Sequence, residues 1–226
     1  MEICNLADEK KMSECVKKSA QVLRTGGVIL FPTDTLYGLG ADAFSDEAVE
    51  KIYAIKGRDE HKPIHAIASD IAMMEEYAEV PDVAHALAKE FIPGALTLIL
   101  KKQDGVEAGI ARGISTIGFR IPNNPFCLKL AKEFGKPFTA TSANASGQKP
   151  ERNVKAILQQ LGGFSHSNIL QNVRMREIML VVDAGELPEC QPSTVVDCSG
   201  KEPVILREGA IPPAEIWNLL GSEFQD

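Results

Sequence analysis

Apolar positions recur along the chain in two alternating rhythms. Over 13–25, Val16, Ala20 and Leu23 share one side of a 3.6-residue repeat, with Ser13 as a cap and Gly26-Gly27 as a stop, which predicts a helix. Residues 28–31 then run without a polar interruption, the pattern of a strand buried on both faces. Ser45, followed by Asp46 and Glu47, opens a helix over 46–56 that buries Val49, Ile52, Tyr53 and Ile55 and ends at Gly57. The same reading predicts strands at 64–68, 96–100, 117–121 and 138–141. It places helices near 70–77, 82–91 and 125–134, and another over 154–161 capped by Asn153. After a loop at 162–167 come strands at 178–183, 194–197 and 203–206 and a helix over 214–220. Strands and helices alternate through the first two thirds, the signature of an α/β sheet, and the strand-rich last third suggests mixed or antiparallel pairs. With no internal repeat, low-complexity segment or charged linker, one domain over 1–226 is expected, residues 210–226 adding a short helix and an acidic tail.

Polar residues gather where these buried runs stop. In Gly26–Gly40 the apolar run reaches Pro32, which removes a ladder donor, and Thr33, Asp34 and Thr35 follow. A buried strand ending in hydroxyls and a carboxylate delivers polar groups to a sheet rim, where α/β folds bind ligands. A plain tight turn with Asp34 capping local amides fits the same residues. Lys56-Gly57-Arg58, with Lys62-Pro63 close behind, joins a point charge to a planar fork, a pairing suited to polyphosphate, although both cations also complement a helix C-terminus. Thr139–Gly147 is rich in small hydroxyl residues that let a ligand approach the backbone, without P-loop spacing. Thr116, Arg120, Ser193 and Arg207 sit at strand ends. Arg120 interrupts an apolar strand, where a guanidinium is costly unless paired; Asp34, Asp197 and a bound carboxylate are all eligible partners.

Composition narrows the field only slightly. The 226 residues are 44% apolar and 24% charged, and no stretch approaches the ~18 unbroken apolar residues of a membrane span. A net charge of −7 argues against a general nucleic-acid coat, and the N-terminal residues show no secretory pattern, so a cytoplasmic setting is expected. Five scattered cysteines without a Cys-x-x-Cys pair read as reduced thiols, and the four histidines form no metal-ligand spacing with them. No Gly-x-Ser-x-Gly elbow or dinucleotide fingerprint is present. The polar groups look arranged to hold anions, which suits nucleotidyl or phosphoryl transfer.

Seven ordered motifs sharpen this reading. Pro-Thr-Asp-Thr-Leu-Tyr-Gly-Leu-Gly at 32–40, Lys-Gly-Arg at 56–58, Lys-Pro at 62–63 and Pro-Gly-Ala-Leu-Thr at 93–97 are followed by Gly-Phe-Arg-Ile-Pro at 118–122, Thr-Ser-Ala-Asn-Ala-Ser-Gly at 141–147 and Ser-Thr-Val-Val-Asp at 193–197. Together they resemble the YrdC-type threonylcarbamoyl-AMP synthases over about residues 15 to 210. The resemblance implies an open, twisted mixed α/β sheet with flanking helices around a concave basic cavity. It also implies a reaction joining L-threonine, bicarbonate or CO2, and ATP into L-threonylcarbamoyladenylate and pyrophosphate, with magnesium held mainly by the phosphates and no protein metal site. The product would pass to a tRNA threonylcarbamoyl transferase complex.

By motif matching, Lys56, Arg58, Ser142 and Asn144 would form the catalytic nucleotide tetrad. Thr35, Arg120, Ser193 and the backbone at Ala140 would contact threonine. Lys62, Thr116, Pro150 and Arg207 would lie near the nucleotide. Some archaeal-type members carry a histidine near position 67, where this chain has Ile67; His65 would point to the same face of a strand. Two other classes resemble the pattern in part: RNA-binding modules with a concave basic surface, and larger carbamoyl-transfer enzymes that contain such domains. The acidic net charge and the lack of interleaved aromatic and basic residues disfavour the former.

Overall fold

In the computed structural model, which describes residues 1–6, 8–57, 63–162 and 173–223, the described strands hydrogen-bond into one mixed sheet. They are β1 (Glu2–Asn5), β2 (Val28–Pro32), β3 (Tyr37–Gly40), β4 (His65–Ile67), β5 (Leu96–Lys101), β6 (Thr116–Arg120), β7 (Phe138–Ser142), β8 (Ile178–Asp183), β9 (Thr194–Asp197) and β10 (Val204–Arg207). Their order across the sheet is β1-β8-β2-β3-β7-β4-β6-β5-β9-β10. The pairs β1–β8, β2–β8, β4–β6 and β5–β9 are parallel, and the remaining pairs are antiparallel. The mixed sheet expected from the pattern is therefore present.

The helices are α1 (Glu9–Arg24), α2 (Asp46–Lys56), α3 (Ile71–Glu75), α4 (Asp82–Phe91), α5 (Pro125–Phe134), α6 (Val154–Gly162), α7 (Val173–Arg176) and α8 (Pro213–Glu223). Ser45 caps α2 by accepting from the Ala48 amide, and Asn153 caps α6 through the Ala156 amide, as their positions imply. Helix α1 starts five residues earlier than the Ser13 cap predicts, because the Asp8 carboxylate accepts from the Lys11 amide instead.

Strand alternation sorts the side chains onto two faces. On one face Val28, Leu30, Leu39, Ala66, Leu98, Phe119, Val181 and Val196 join α2, α4, α6 and α8 in the larger core. On the other, Ile29, Phe31, Ile67, Phe138, Leu180 and Val182 pack beneath α1 and α5. Each such large side chain, fully buried, contributes roughly 1.5–3 kcal/mol. Helices α1 and α5 cover only part of the second face. Further along it, Ala140, His65, Arg120 and Thr97 line a cavity instead. That part of the sheet face, which no described helix covers, is where polar side chains are placed.

Three features depart from the pattern-based reading. Strand β1, mostly exposed and only four residues long, carries no alternating signal, yet it pairs with β8 as a parallel edge strand. It brings Cys4 beside Cys15 of α1, and the two form a disulfide with Cα atoms 5.8 Å apart. The expectation of five reduced thiols is corrected accordingly: the strand fold-back, invisible in cysteine spacing, makes the pair. Cys127 and Cys198 remain free and buried, and Cys190 free and exposed. Third, Tyr37–Gly40, absent from the strands read from the pattern, is a strand antiparallel to β2. Gly38 and Gly40 are needed there because the Phe31 side chain lies against them; an added Cβ would come within 3.0 and 2.9 Å of it. The 162–167 loop lies outside the described residues beyond Gly162, as do residues 224–226 of the acidic tail. No described helix is long and apolar enough to cross a membrane.

Candidate functional site

The β2–β3 hairpin presents the first group of site residues. Its tip, 33–36, is closed by Thr33: the hydroxyl accepts from the Thr35 and Leu36 amides, both at 3.1 Å, and donates to the Leu36 carbonyl at 2.7 Å. Asp34 and Thr35 are thereby held toward the end of β6, where Arg120 waits. The guanidinium donates from Nε to the Gly94 carbonyl (3.2 Å), from Nη1 to Thr35 Oγ1 (2.8 Å) and from Nη2 to Asp34 Oδ1 (2.6 Å). Asp34, not Asp197, is thus the carboxylate that compensates the buried guanidinium, and its second oxygen accepts from the Asn123 amide at 3.0 Å. Asp197 instead holds Ser199 through its amide and hydroxyl. Among the described residues, three of the five guanidinium N–H groups serve the protein, so two remain for a ligand.

A second group lies across the cavity. Thr97 is paired with Arg120 in the β5–β6 register, and its hydroxyl is 2.8 Å from Ser193 Oγ. Arg207 at the end of β10 donates to the Ser193 carbonyl from Nε and Nη2, at 3.1 and 2.8 Å, and from Nη2 to Ser193 Oγ at 3.1 Å. Desolvation and the nearby Arg120 both lower the Arg207 pKa. Gly209 allows this approach: a Cβ there would sit 2.3 Å from the Pro192 carbonyl oxygen.

The third group joins α2 to the β7 loop. Lys56 is the last residue of α2, followed by Gly57 in the left-handed conformation, and its ammonium is buried. It donates to the Ser142 carbonyl and to the carbonyl and Oδ1 of Asn144, at 3.0 and 3.3 Å. Ser142 Oγ donates to the same Asn144 Oδ1, and Asn144 Nδ2 donates to the Gln148 carbonyl at 2.6 Å. Lysine, serine and asparagine therefore set one loop conformation together.

The cavity between these groups has a volume of about 710 Å³. Among the expected site residues, Thr35, Arg120, Ala140, Ser142, Pro150, Ser193 and Arg207 line it. Lys56 and Asn144 stand behind Ser142, outside the lining. Thr116 lies four residues from Arg120 at the far end of β6, opposite Lys101, and is not part of the lining. Arg58 and Lys62 lie outside the described residues. Charged lining residues include Arg120, Lys149, Arg152 and Arg207 against Glu151 and Glu189. Among the described residues no group of three or more His, Cys, Asp or Glu side chains could hold a metal ion.

His65 also lines the cavity, on the same sheet face as Ala140, its partner in register. Gly118 makes room for it: a Cβ at that position would lie 2.1 Å from His65 Nδ1.

One wall has no sequence motif. The segment 184–193 leaves β8 and enters β9, seven places away in the sheet order. At about 4.8 Å per strand that is a path of ~34 Å, close to the full reach of ten residues at ~3.3–3.6 Å each. The segment therefore crosses the sheet as a strap, and Pro188, Glu189, Cys190 and Pro192 face the cavity. Tyr37, itself buried, fastens its start by donating to the Gly185 carbonyl at 2.8 Å and accepting from the Ala184 amide at 2.9 Å. Burial pushes the Tyr37 hydroxyl pKa up to about 12. The Leu187 amide donates to the Arg152 carbonyl at 2.9 Å, and Arg152 pairs with Glu186 at 2.6 Å. The proline-rich composition of 188–192 was the available signal for an extended segment.

Comparison with known proteins places this arrangement. The profile of the Sua5/YciO/YrdC family, described as telomere recombination, matches residues 21–209. The threonylcarbamoyl-AMP synthase of Bacillus subtilis is 36% identical over 208 residues, spanning 91% of this chain and 56% of that protein. The structure of Pyrococcus abyssi Sua5 complexed with L-threonine superposes with a TM-score of 0.83 at 33% identity, covering 98% of this chain and 61% of that one. Escherichia coli YciO is similar with a TM-score of 0.76 at 26% identity, covering 95% and 97%. The chain thus spans little more than half the length of the Bacillus and Pyrococcus synthases.

Proposed function

Because the chain belongs to the Sua5/YciO/YrdC family, we propose that it is a threonylcarbamoyl-AMP synthase, a nucleotidyltransferase that makes L-threonylcarbamoyladenylate and pyrophosphate from L-threonine, bicarbonate or CO2, and ATP. The observation that carries this reading is one cavity holding an oriented arginine fork, Arg120 on Thr35, beside a hydroxyl pair, Thr97 and Ser193, and a second arginine, Arg207. A fork with two free N–H groups suits an amino-acid carboxylate, and the paired hydroxyls suit a hydroxylated side chain.

The ordered 142–148 loop, tied by Lys56 and Asn144, would offer Ser142 and backbone groups to the nucleotide, with Pro150 beside it. Arg58 and Lys62 would add charge to the phosphates. The amine of threonine would take up CO2 with loss of a proton to form a carbamate, and a carbamate oxygen would attack the α-phosphorus; a new O–P bond forms as the bond to pyrophosphate breaks. Cations around the triphosphate offset the charge that builds on the leaving group. Magnesium would enter with ATP as part of the substrate. The product's fate would be transfer to adenosine in tRNA by a separate transferase, in the cytoplasm.

Pyrophosphate release from ATP and bicarbonate, with and without L-threonine, tests the reading. Threonine-dependent release is expected. Release that ignores threonine, or binding of tRNA without ATP turnover, would sink it.

A further inference from the structure

The cavity holds two guanidinium groups in different electrostatic settings. Arg120 is paired with the Asp34 carboxylate at 2.6 Å, and both side chains are nearly buried, at 10% and 14% exposure. Asp34 does not itself line the cavity; it stands behind the fork, fixed on its other oxygen by the Asn123 amide. Arg207, by contrast, donates only to the carbonyl and hydroxyl oxygens of Ser193. No carboxylate is among its hydrogen-bond partners in the described residues.

This asymmetry has a consequence for ligand choice. A near-neutral ion pair gives little net attraction to a bare anion, because the ligand's charge meets the carboxylate as well as the guanidinium. A zwitterion brings its own ammonium next to its carboxylate and meets no such repulsion. The unpaired Arg207 keeps its full charge for phosphate. We propose that Asp34 is a specificity-determining residue, acting through Arg120, that reserves this fork for a zwitterionic amino acid and turns away simple carboxylates and phosphates. The inference rests on the reading of the cavity as an amino-acid site and extends it to what that site rejects.

Calorimetric titration of the whole chain with L-threonine and with (R)-3-hydroxybutyrate, which is threonine without its amine, tests the idea. The wild type is expected to bind threonine at least about tenfold more tightly, the scale of one neighbouring charge. Asp34→Asn removes the charge and keeps the shape. It should bring the two affinities together by about tenfold, chiefly by tightening the binding of the hydroxy acid. Thr35→Val, which removes a partner of Arg120 without changing charge, should weaken both ligands and leave their ratio alone. An unchanged ratio in Asp34→Asn, an equal loss of both ligands there, or an equal shift in ratio from Thr35→Val would each overturn the proposal. Should Asp34→Asn fail to fold, equal wild-type affinities for the two ligands would overturn it as well. Wild type that binds no threonine at all refutes the underlying amino-acid reading, a result distinct from threonine binding without discrimination.

Discussion

Replacing Tyr37 with phenylalanine tests whether the 184–193 strap is held as its geometry indicates. The ring is buried and keeps its packing, so the change removes only a hydroxyl that donates to the Gly185 carbonyl and accepts from the Ala184 amide. Each neutral hydrogen bond has a net worth of about 1 kcal/mol, more where a partner is left without water, which gives a loss of about 1–3 kcal/mol. At about 2–4 °C per kcal/mol for a chain of this size, the melting temperature should fall by ~2–12 °C. The loss should be concentrated at the start of the strap, so hydrogen exchange at residues 184–187 should accelerate while the β2 and β8 amides stay protected. The hydroxyl also titrates. Its folded pKa is raised to about 12, above the ordinary value of 10.0, so the stabilisation it brings is complete below pH 10 and is lost as pH rises toward 12. Subtracting the stability profile of Tyr37→Phe from that of the wild type should therefore leave a difference that declines between pH 10 and 12. Other buried tyrosines cancel in that subtraction. A flat difference profile, or unchanged strap exchange, would refute the reasoning.

Four further outcomes follow from the same geometry. Arg120→Lys keeps the charge but loses the planar fork that meets Gly94, Thr35 and Asp34 together, so the KM for L-threonine should rise by about 100-fold, read by pyrophosphate release. Lys56→Ala leaves the Ser142 and Asn144 carbonyls without their buried donor; activity should fall at least about 100-fold, with a stability loss of roughly 1–3 kcal/mol in thermal melts. Gly118→Ala drives a methyl into His65 and should cost about 1–3 kcal/mol and weaken threonine binding, and the double variant with His65→Ala should recover much of the stability. Reducing the Cys4–Cys15 disulfide should lower stability by about 2–4 kcal/mol in the melt while leaving the KM for threonine unchanged, since the bridge anchors the edge strand β1 to α1, neither of which lines the cavity.

What was legible in the sequence divides along physical lines. Helices and central strands were readable because burial imposes a period: Val28–Phe31, the Ser45 cap and the Asn153 cap all report local rules. Hydroxyls and cations at strand ends were readable as chemistry, and the cavity gathers Thr35, Arg120, Ala140, Ser142, Pro150, Ser193 and Arg207 from three strands and three loops. The misses are non-local. Strand β1 has no buried alternation of its own, and its place follows from the exposed edge of β8 and the disulfide. Strand β3 was not among the strands read from the pattern, because Tyr-Gly-Leu-Gly carries two glycines, which here make room for the Phe31 ring from the partner strand.

The strap shows the same limit most sharply and connects it to function. Nothing in Ala184–Ser193 says that the segment spans the sheet; that is a property of strand order, set by pairing between residues far apart in sequence. Once the order is known, length forces the segment on a direct path across the sheet, because ten residues have little slack over seven strand spacings. A segment so taut also fixes what it ends on. Its last residue is Ser193, the hydroxyl shared by Thr97 and Arg207, and its start is tied by Tyr37, the residue that directly follows the hairpin tip presenting Thr35 to Arg120. The hairpin that orients one guanidinium thus also anchors the strap that positions the other. Loosening Tyr37 should then disturb the Arg207 side of the cavity before the Arg120 side, so the KM for ATP should rise more than the KM for threonine. Equal rises in the two constants would mean that the strap is merely a wall.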